Sequence, residues 1–340
     1  MWGCRALGRV SGCWRRGLGV RAAPKDTRFG TEARHQLQPR GSSKRLGPLG
    51  DQPFPGLLRP KNLSREELVD VLRAAVVDEK GPLVTLNKPQ GLPVTGKAGE
   101  LTLLSVLPEL SQSLGVGEQE LQVVQAPGNC PQTASHLQKF YIHSRRAQRP
   151  TATYCAVTDG IPATSQGKIQ AALKLEHIDG VNLVVPVKSP SRKDILEGVK
   201  RTSSHFRVVA TGSGCALVQL QPLTVFPSQL QVHMVLQLCP VLGDHTYSAH
   251  VGTVLGQRFL LPAESTKPSK QVLEEALLRR LRLSPSQAAR LPLHLHLHCL
   301  LLPGTRSRDT PIKLLAPLPP YFSRTLQCLG LLQQQSSLCS

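Results

Sequence analysis

The sequence predicts an α+β domain, and three stretches carry that expectation. Residues 121–160 read as a strand, a helix, a basic corner and a second strand. Residues 64–77 carry the start signal and apolar spacing of an amphipathic helix. Residues 205–220 read as two strands joined by a glycine-rich hairpin turn. At 340 residues and 40% hydrophobic content the chain can build a sizeable core, which argues against wholesale disorder.

Residues 1–25 contain Arg5, Arg9, Arg15, Arg16, Arg21 and Lys25 and no acid, while Trp2, Leu7, Val10, Trp14 and Leu18 share a face if the segment is helical. An arginine-rich, acid-poor, amphipathic start is the composition of a mitochondrial presequence; a basic RNA-binding arm is the other reading. Residues 26–61 are rich in Gly, Pro, Ser and Gln and read as a flexible basic lead-in. Ordered structure is expected from Asn62, with one domain over 62–333 and a tail at 334–340.

Ser64-Arg65-Glu66-Glu67 is a capping box, in which the serine hydroxyl and the glutamate carboxylate each satisfy a free amide. Leu68, Val71, Leu72, Ala75 and Val76 mark one face of a helix reaching about Val77. Leu83–Leu86 form a strand that ends in a Pro/Gly turn with Lys88 at its exposed end. Lys88 reads equally as an RNA phosphate contact or as a solvated turn lysine.

The apolar run Leu121, Val123, Val124 breaks at Ala126-Pro127-Gly128-Asn129. A helix resumes near Thr133, with Leu137, Phe140 and Tyr141 at helical spacing. Arg145, Arg146 and Arg149 make the basic corner, and the strand from Thr151 to Val157 ends at Asp159-Gly160. Such a corner suits a phosphate-bearing ligand. Leu183–Val187 is a further strand, followed by a basic patch from Lys188 to Arg201 that includes Arg192, Lys193 and Lys200. The patch fits an RNA backbone or a solvated loop.

Two helices are expected within 271–290, the second capped by Ser284 with Pro285 in its first turn. His294, His296 and His298 alternate along a strand and share a face. A three-histidine zinc site is the sharp alternative, but same-face strand side chains point in parallel and do not converge on one ion. No metal site is expected. Leu315–Leu331 reads as a strand turning into a final short helix.

The formal net charge of +19 is unevenly spread: residues 1–61 hold 13 basic and 3 acidic side chains, leaving the rest moderately basic. The nine cysteines are scattered without a C-x-x-C pair, which fits reduced thiols rather than a disulfide framework or zinc ribbon. No apolar run is long enough to span a bilayer, so membrane insertion is not expected.

Several segments are similar to motifs of the RluA-type RNA pseudouridine synthases. Asn87-Lys88-Pro89-Gln90-Gly91-Leu92-Pro93-Val94 matches N-K-P-x-G-L-x-V at every fixed position. Tyr154-Cys155-Ala156-Val157 resembles K-x-Y-x-A-x-V, with Ala152 in place of the lysine. Pro222–His233 resembles P-x-T-G-R-T-H-Q-I-R-V-H: Pro222, Thr224, Gln229, Val232 and His233 agree, whereas Val225, Phe226, Ser228 and Gln231 replace Gly, Arg, His and Arg. Pro240–Tyr247 resembles P-I-x-G-D-x-x-Y, and Ala316–Phe322 resembles A-P-L-P-x-x-F. The resemblance runs from about Pro82 to Leu331.

It implies the pseudouridine synthase fold, a mixed, mostly antiparallel bent sheet flanked by helices around a basic cleft. It also implies a reaction without metal or organic cofactor: the N1–C1′ bond of a flipped uridine breaks and the uracil is rejoined through C5. An Asp is required there as nucleophile or base. In the family that Asp lies in H-R-L-D-x-x-T-S-G-L, which this chain lacks. Gln125-Ala126-Pro127-Gly128 stands in its place, the Asp position falls at Gly128, and the chain passes from Asn129 to Cys130-Pro131 without the strand that should follow. The junction reads as a true loss, an isoform or an imperfect gene sequence. Loss of a central strand would leave its neighbours unpaired.

By resemblance Tyr154 packs against the flipped uracil, although most strand tyrosines are simply core residues. Lys88, Arg145, Arg146, Arg149, Lys193 and Gln231 are the RNA-contact candidates. Gln231 donates a hydrogen bond where the family arginine would form a charged pair. Asp244 belongs to a structural turn and is not expected to replace the missing acid. The expected function is that of a mitochondrial matrix RNA pseudouridine synthase acting on mitochondrial RNA, not DNA, with no catalytic residue in this chain. The alternative is a non-catalytic mitochondrial RNA-binding protein, for example in ribosome assembly.

Overall fold

A computed structural model describes residues 5–8, 53–80, 83–115, 122–124, 132–178, 180–262, 266–303 and 310–332. Gly128 and the Asn129-Cys130 junction lie outside these residues, as do most of the presequence and lead-in and the tail.

The smaller sheet contains β1 (Arg5–Gly8), β2 (Val76–Lys80), β3 (Leu83–Leu86) and β4 (Gln122–Val124), in the order β2-β3-β1-β4 with antiparallel pairings. The chain then supplies β5 (Ala152–Asp159), β6 (Gln166–Ile178), β7 (Val181–Val187), β8 (Lys200–Gly212) and β9 (Cys215–Pro222). A separate hairpin of β10 (Val251–Val254) and β11 (Gln257–Leu260) follows, then β12 (Leu295–Leu302) and β13 (Ile312–Leu315). The large sheet runs β13-β12-β5-β9-β8-β6-β7, each neighbouring pair antiparallel. The helices are α1 (Arg65–Ala74), α2 (Leu107–Ser113), α3 (Gln132–Arg146), α4 (Arg192–Leu196), α5 (Gln229–Leu236), α6 (Glu275–Leu281), α7 (Pro285–Ala288) and α8 (Pro320–Leu329).

Local chemistry accounts for the boundaries. The Ser64–Glu67 capping box starts α1. The helix stops at Ala74, short of Val77, because the chain turns into β2, where Val76 pairs with Leu86. The β8–β9 hairpin turns through Ser213 and Gly214, whose φ of 50° and 76° give the primed turn that suits twisted strands. Ser284 and Pro285 open α7 as expected. Packing begins before Asn62, since Phe54 is buried in the main core. β1 lies within the segment expected as a presequence and pairs with both β3 and β4.

Alternation along β5 and β9 separates two faces of the large sheet. Cys155, Val157, Cys215 and Leu217 pack with Leu277, Leu281, Leu326 and Leu329 of α6 and α8. Tyr154, Ala156, Val218 and Leu220 face the other way, toward Leu230 and Met234 of α5. β5 therefore divides a structural side from a side that carries the candidate tyrosine.

Candidate functional site

Tyr154 sits in the middle of the large sheet, its backbone opposite Leu220 of β9 and Leu297 of β12. It is half-buried against the α5-side core. Tyr141 of α3 lies close by and is buried; its hydroxyl donates to the Leu301 carbonyl at 3.3 Å. Burial, reinforced by the neighbouring Tyr154, pushes the Tyr141 phenol well above its ordinary range, so it stays protonated. Helical spacing marks Tyr141 only as a core residue, whereas tertiary packing makes it Tyr154's neighbour.

The basic corner is shaped by the end of α3. The chain leaves the helix through Gln148 at φ 52°, and the Arg149 amide bonds back to the Ser144 carbonyl at 2.8 Å. This fans out the three arginines: Arg146 and Arg149 are exposed, while Arg145 is half-buried with Nε donating to the Tyr141 carbonyl at 3.1 Å. Lys168 of β6 joins the corner by donating to Gln148 Oε1 at 3.4 Å. Nothing in the spacing of Lys168 marks it as part of this group.

The remaining candidates are placed differently. Lys88 is half-buried, and its ammonium donates to the carbonyls of Pro89 at 3.0 Å and Leu92 at 2.7 Å, which ties down the turn it sits on. Lys193 is exposed on α4, 3.8 Å from Glu197, an i,i+4 pair of the kind that contributes little. Gln231 is buried, because Gln229 to Val235 of α5 are buried on every side. It lies beside Asp244 rather than on an open surface.

Asp244 is 1% exposed, and its Oδ1 accepts from the amides of Thr246 and Tyr247 at 3.0 Å each. Burial raises its carboxyl above the usual aspartate range, against the opposing pull of those amides and of Gln231. Among the described residues Oδ2 has no hydrogen-bond partner. This is a turn anchor enclosed in the core.

The segment before α5 shows what the matched motif residues do. Thr224 Oγ1 accepts from the Ser203 amide at 2.9 Å and donates to Gln229 Oε1 at 3.0 Å. Gln229 Nε2 donates to the Ser203 carbonyl and to Ser204 Oγ, at 3.1 and 2.9 Å. His233 Nε2 meets Thr202 Oγ1 at 2.9 Å. Together they stitch α5 to β8. Phe226, at a family arginine position, packs against Leu173, Leu183 and Val235.

The three strand histidines have separate tasks. His294 bridges the Pro292 carbonyl and Thr325 Oγ1 at 2.8 Å each. His296 and His298 both reach the Ala316 carbonyl, at 3.2 and 2.9 Å, helped by a bulge between Leu297 and Cys299. Burial lowers His294 and His296 to about 4, so both are neutral at pH 7.

This antiparallel sheet, its tyrosine-bearing central strand and the matched motifs define a protein of the RNA pseudouridylate synthase family, to which the chain belongs; the family profile matches residues 82–235. The chain is 82% identical to the human protein named mitochondrial mRNA pseudouridine synthase RPUSD3, with 97% of each covered. It is 71% identical to the protein of that name in Mus musculus, covering 98% of this chain and 100% of the mouse protein. At 31% identity it is similar to pseudouridylate synthase RPUSD4, mitochondrial, of Mus musculus, with 81% of this chain and 72% of that protein covered. Among solved structures, human RNA Pseudouridylate Synthase Domain Containing 4 superposes with a TM-score of 0.57 at 25% identity, covering 78% of this chain and 97% of that one. The human alignment spans 341 positions, more than the 340 residues of this chain, so gaps open in this chain within it.

Proposed function

We propose that this chain binds mitochondrial mRNA in the mitochondrial matrix through a pseudouridine synthase cleft, and that in the form given by this sequence it binds without turnover. The observation that carries the second half is chemical. The family's acid position falls at Gly128, and the carboxylate nearest in motif terms, Asp244, is enclosed and committed to two backbone amides. A glycine offers neither a nucleophile for C1′ nor a base for C2′. The RNA half is supported by the relatives, which are named for mitochondrial mRNA, and by the basic corner beside Tyr154.

In this reading Tyr154 holds the flipped uracil, with Tyr141 packed beneath as a rigid protonated support. Arg145, Arg146 and Arg149 hold the phosphates, with Lys168 beside them, and Lys193 extends the basic path. Lys88 orders its turn while keeping a positive charge near the strand end. Gln231 supports the cleft from the core. No metal or organic cofactor enters the proposal, and residues 1–25 serve as the import presequence, so that its cleavage would remove β1 and leave the facing edges of β3 and β4 without that strand.

A specific observation favours a second reading, that of an active synthase. The relatives' alignments open gaps in this chain, and a form carrying the absent residues with an Asp at the Gly128 position would regain the acid. A tritium-release assay on uridine-labelled mitochondrial mRNA separates the two. Release by the chain as given would overturn binding without turnover, while release only by a form with the Asp-bearing loop restored is the expected result.

A further inference from the structure

The face of the large sheet turned away from Tyr154 changes character along its width. Cys155 of β5 packs on that face with α6 and α8. Its neighbours outward across the sheet are polar: Gln219 of β9, then Arg207 of β8, then Gln166 of β6. We propose that this polar half of the sheet is a second RNA surface, which takes phosphates of the strand flanking the base held at Tyr154. The proposal rests on RNA being the ligand of the Tyr154 side.

Strand register builds the surface. A second row, two residues along, joins Lys168 of β6 to His205 of β8 and Gln221 of β9. Gln221 Nε2 then donates to Thr153 Oγ1 of β5 at 3.1 Å. Gln170 and Arg201 continue the same face on β6 and β8, and both are exposed. Because side chains alternate along a strand, Ile169, Phe206, Val208, Val218 and Leu220 turn instead to the α5-side core. Three adjacent strands thus bury apolar groups on one face and present polar ones on the other.

An antiparallel sheet commonly keeps one face in water, so polarity alone does not make a binding site. Here each polar side chain on the rows carries an N–H or O–H donor, which is what phosphate oxygens take. The donors are also braced. Arg207 Nε donates to Gln219 Oε1 at 3.2 Å, and Lys168 Nζ donates to Gln148 Oε1 at 3.4 Å. Such bracing lowers the ordering cost of binding. Gln148 follows α3, so Lys168 joins this face to the corner of Arg145, Arg146 and Arg149. Farther along β6, Lys174 lies 3.5 Å from Glu176 and within the field of Asp194, which ends the run of donors. From β5 to β6 the rows cross three strand spacings, about 14 Å at ~4.8 Å each. That accommodates about four nucleotides at the ~3.4 Å spacing of charges along one strand.

The test uses the full chain and a fluorescein-labelled single-stranded RNA of about 20 nucleotides, longer than the ~4–16 that one single-strand site occupies. Affinity is measured by anisotropy across a salt series. Arg201→Gln/Arg207→Gln should lower the log–log salt slope by about 1.4, at ~0.7 per phosphate contact, and weaken affinity at 0.1 M salt about 25-fold. Arg201→Lys/Arg207→Lys should keep most of the slope. Gln170→Glu leaves every cation in place and should weaken binding on its own. Gln257→Glu, the same charge change on the β10–β11 hairpin, should not. Unchanged affinity and slope in both the arginine-to-glutamine variant and Gln170→Glu would overturn the surface. Equal weakening by Gln170→Glu and Gln257→Glu would also overturn it, because net charge would then account for the effect.

Tyr154→Ala, measured alongside, separates this proposal from the reading beneath it. If the unaltered chain binds no RNA, that reading fails and this surface fails with it. If Tyr154→Ala weakens binding while the variants of the polar face do not, the Tyr154 reading stands and the surface is overturned. The expected result is that Tyr154→Ala and Gln170→Glu each weaken binding and that their effects multiply when combined, as for independent contacts on opposite faces.

Discussion

Asp244 is the residue on which the catalytic question turns, and Asp244→Asn tests it. The substitution keeps an oxygen that can accept from the Thr246 and Tyr247 amides, both at 3.0 Å from Oδ1, and removes the charge that burial disfavours. Asp244→Asn is therefore expected to change stability at pH 7 by less than about 1 kcal/mol. Asp244→Ala removes the acceptor altogether and strands two amides beside a fully enclosed site, a loss of about 2–6 kcal/mol at ~1–3 kcal/mol per unsatisfied group. The pH dependence has a defined sign. A carboxyl whose folded pKa is raised favours the folded state when protonated, so its contribution is present below the unfolded pKa and is lost as pH rises through the folded pKa. The asparagine variant should thus gain on the unaltered chain as pH rises from 4 toward 7. Urea denaturation across that range measures the gain, and tritium release measures turnover. The reasoning is refuted if the chain as given turns over and the asparagine variant folds normally but does not, because Asp244 would then be serving as an acid of the reaction.

Three further outcomes are expected. His233, His294 and His296 are each lowered to about 4 by burial, so the stability they hold is complete above about pH 6.5 and is lost as pH falls toward 4, up to about 3 kcal/mol apiece; a melting temperature that does not fall over this window would contradict it. Gly243→Ala should cost about 2–4 kcal/mol by chemical denaturation, because at φ 77° a Cβ would lie 2.2 Å from the Pro292 carbonyl oxygen. Tyr154→Ala should weaken RNA binding about 5- to 100-fold through lost stacking, while Tyr154→Phe keeps most of it; equal effects would assign the role to the hydroxyl.

Much of the frame is legible in the sequence because it follows local rules. The capping box at Ser64 and the Ser213-Gly214 turn act over four residues, and β5 declares itself by length and flanking turn. Helix α5 escapes such reading for a physical reason. It starts after Ser228 at φ 46° and is buried all round, so it has no amphipathic stripe, and Gln229 and His233 Nε2 find their hydrogen-bond partners on β8 at a distance no periodicity records. The candidate site divides similarly. Tyr154 and the three corner arginines stand in one stretch, but Tyr141 and Lys168 join them only through tertiary packing. The enclosure of Gln231 follows from α5 and is invisible until that helix is in place.

The pattern of matches and departures before α5 bears on what the chain does. Thr224, Gln229 and His233, which agree with the family motif, tie the helix to β8 and are needed whether or not chemistry occurs. Phe226 and Gln231 depart, and both stand where the family places an arginine. An arginine buried without an anionic partner is costly, and on the proposed assignment of the acid position to Gly128 no such partner is offered there. Phe226 instead packs into the core between β6, β7 and α5, while Gln231 remains as a neutral neighbour of a carboxyl that burial pushes toward its protonated form. Losing an acid while retaining its arginines would leave uncompensated charge inside the protein; losing them together leaves a stable frame. On the proposed reading, a frame kept intact with its internal charge pair absent suits a cleft that holds RNA, and catalysis would fall to a form of the chain that restores the acid.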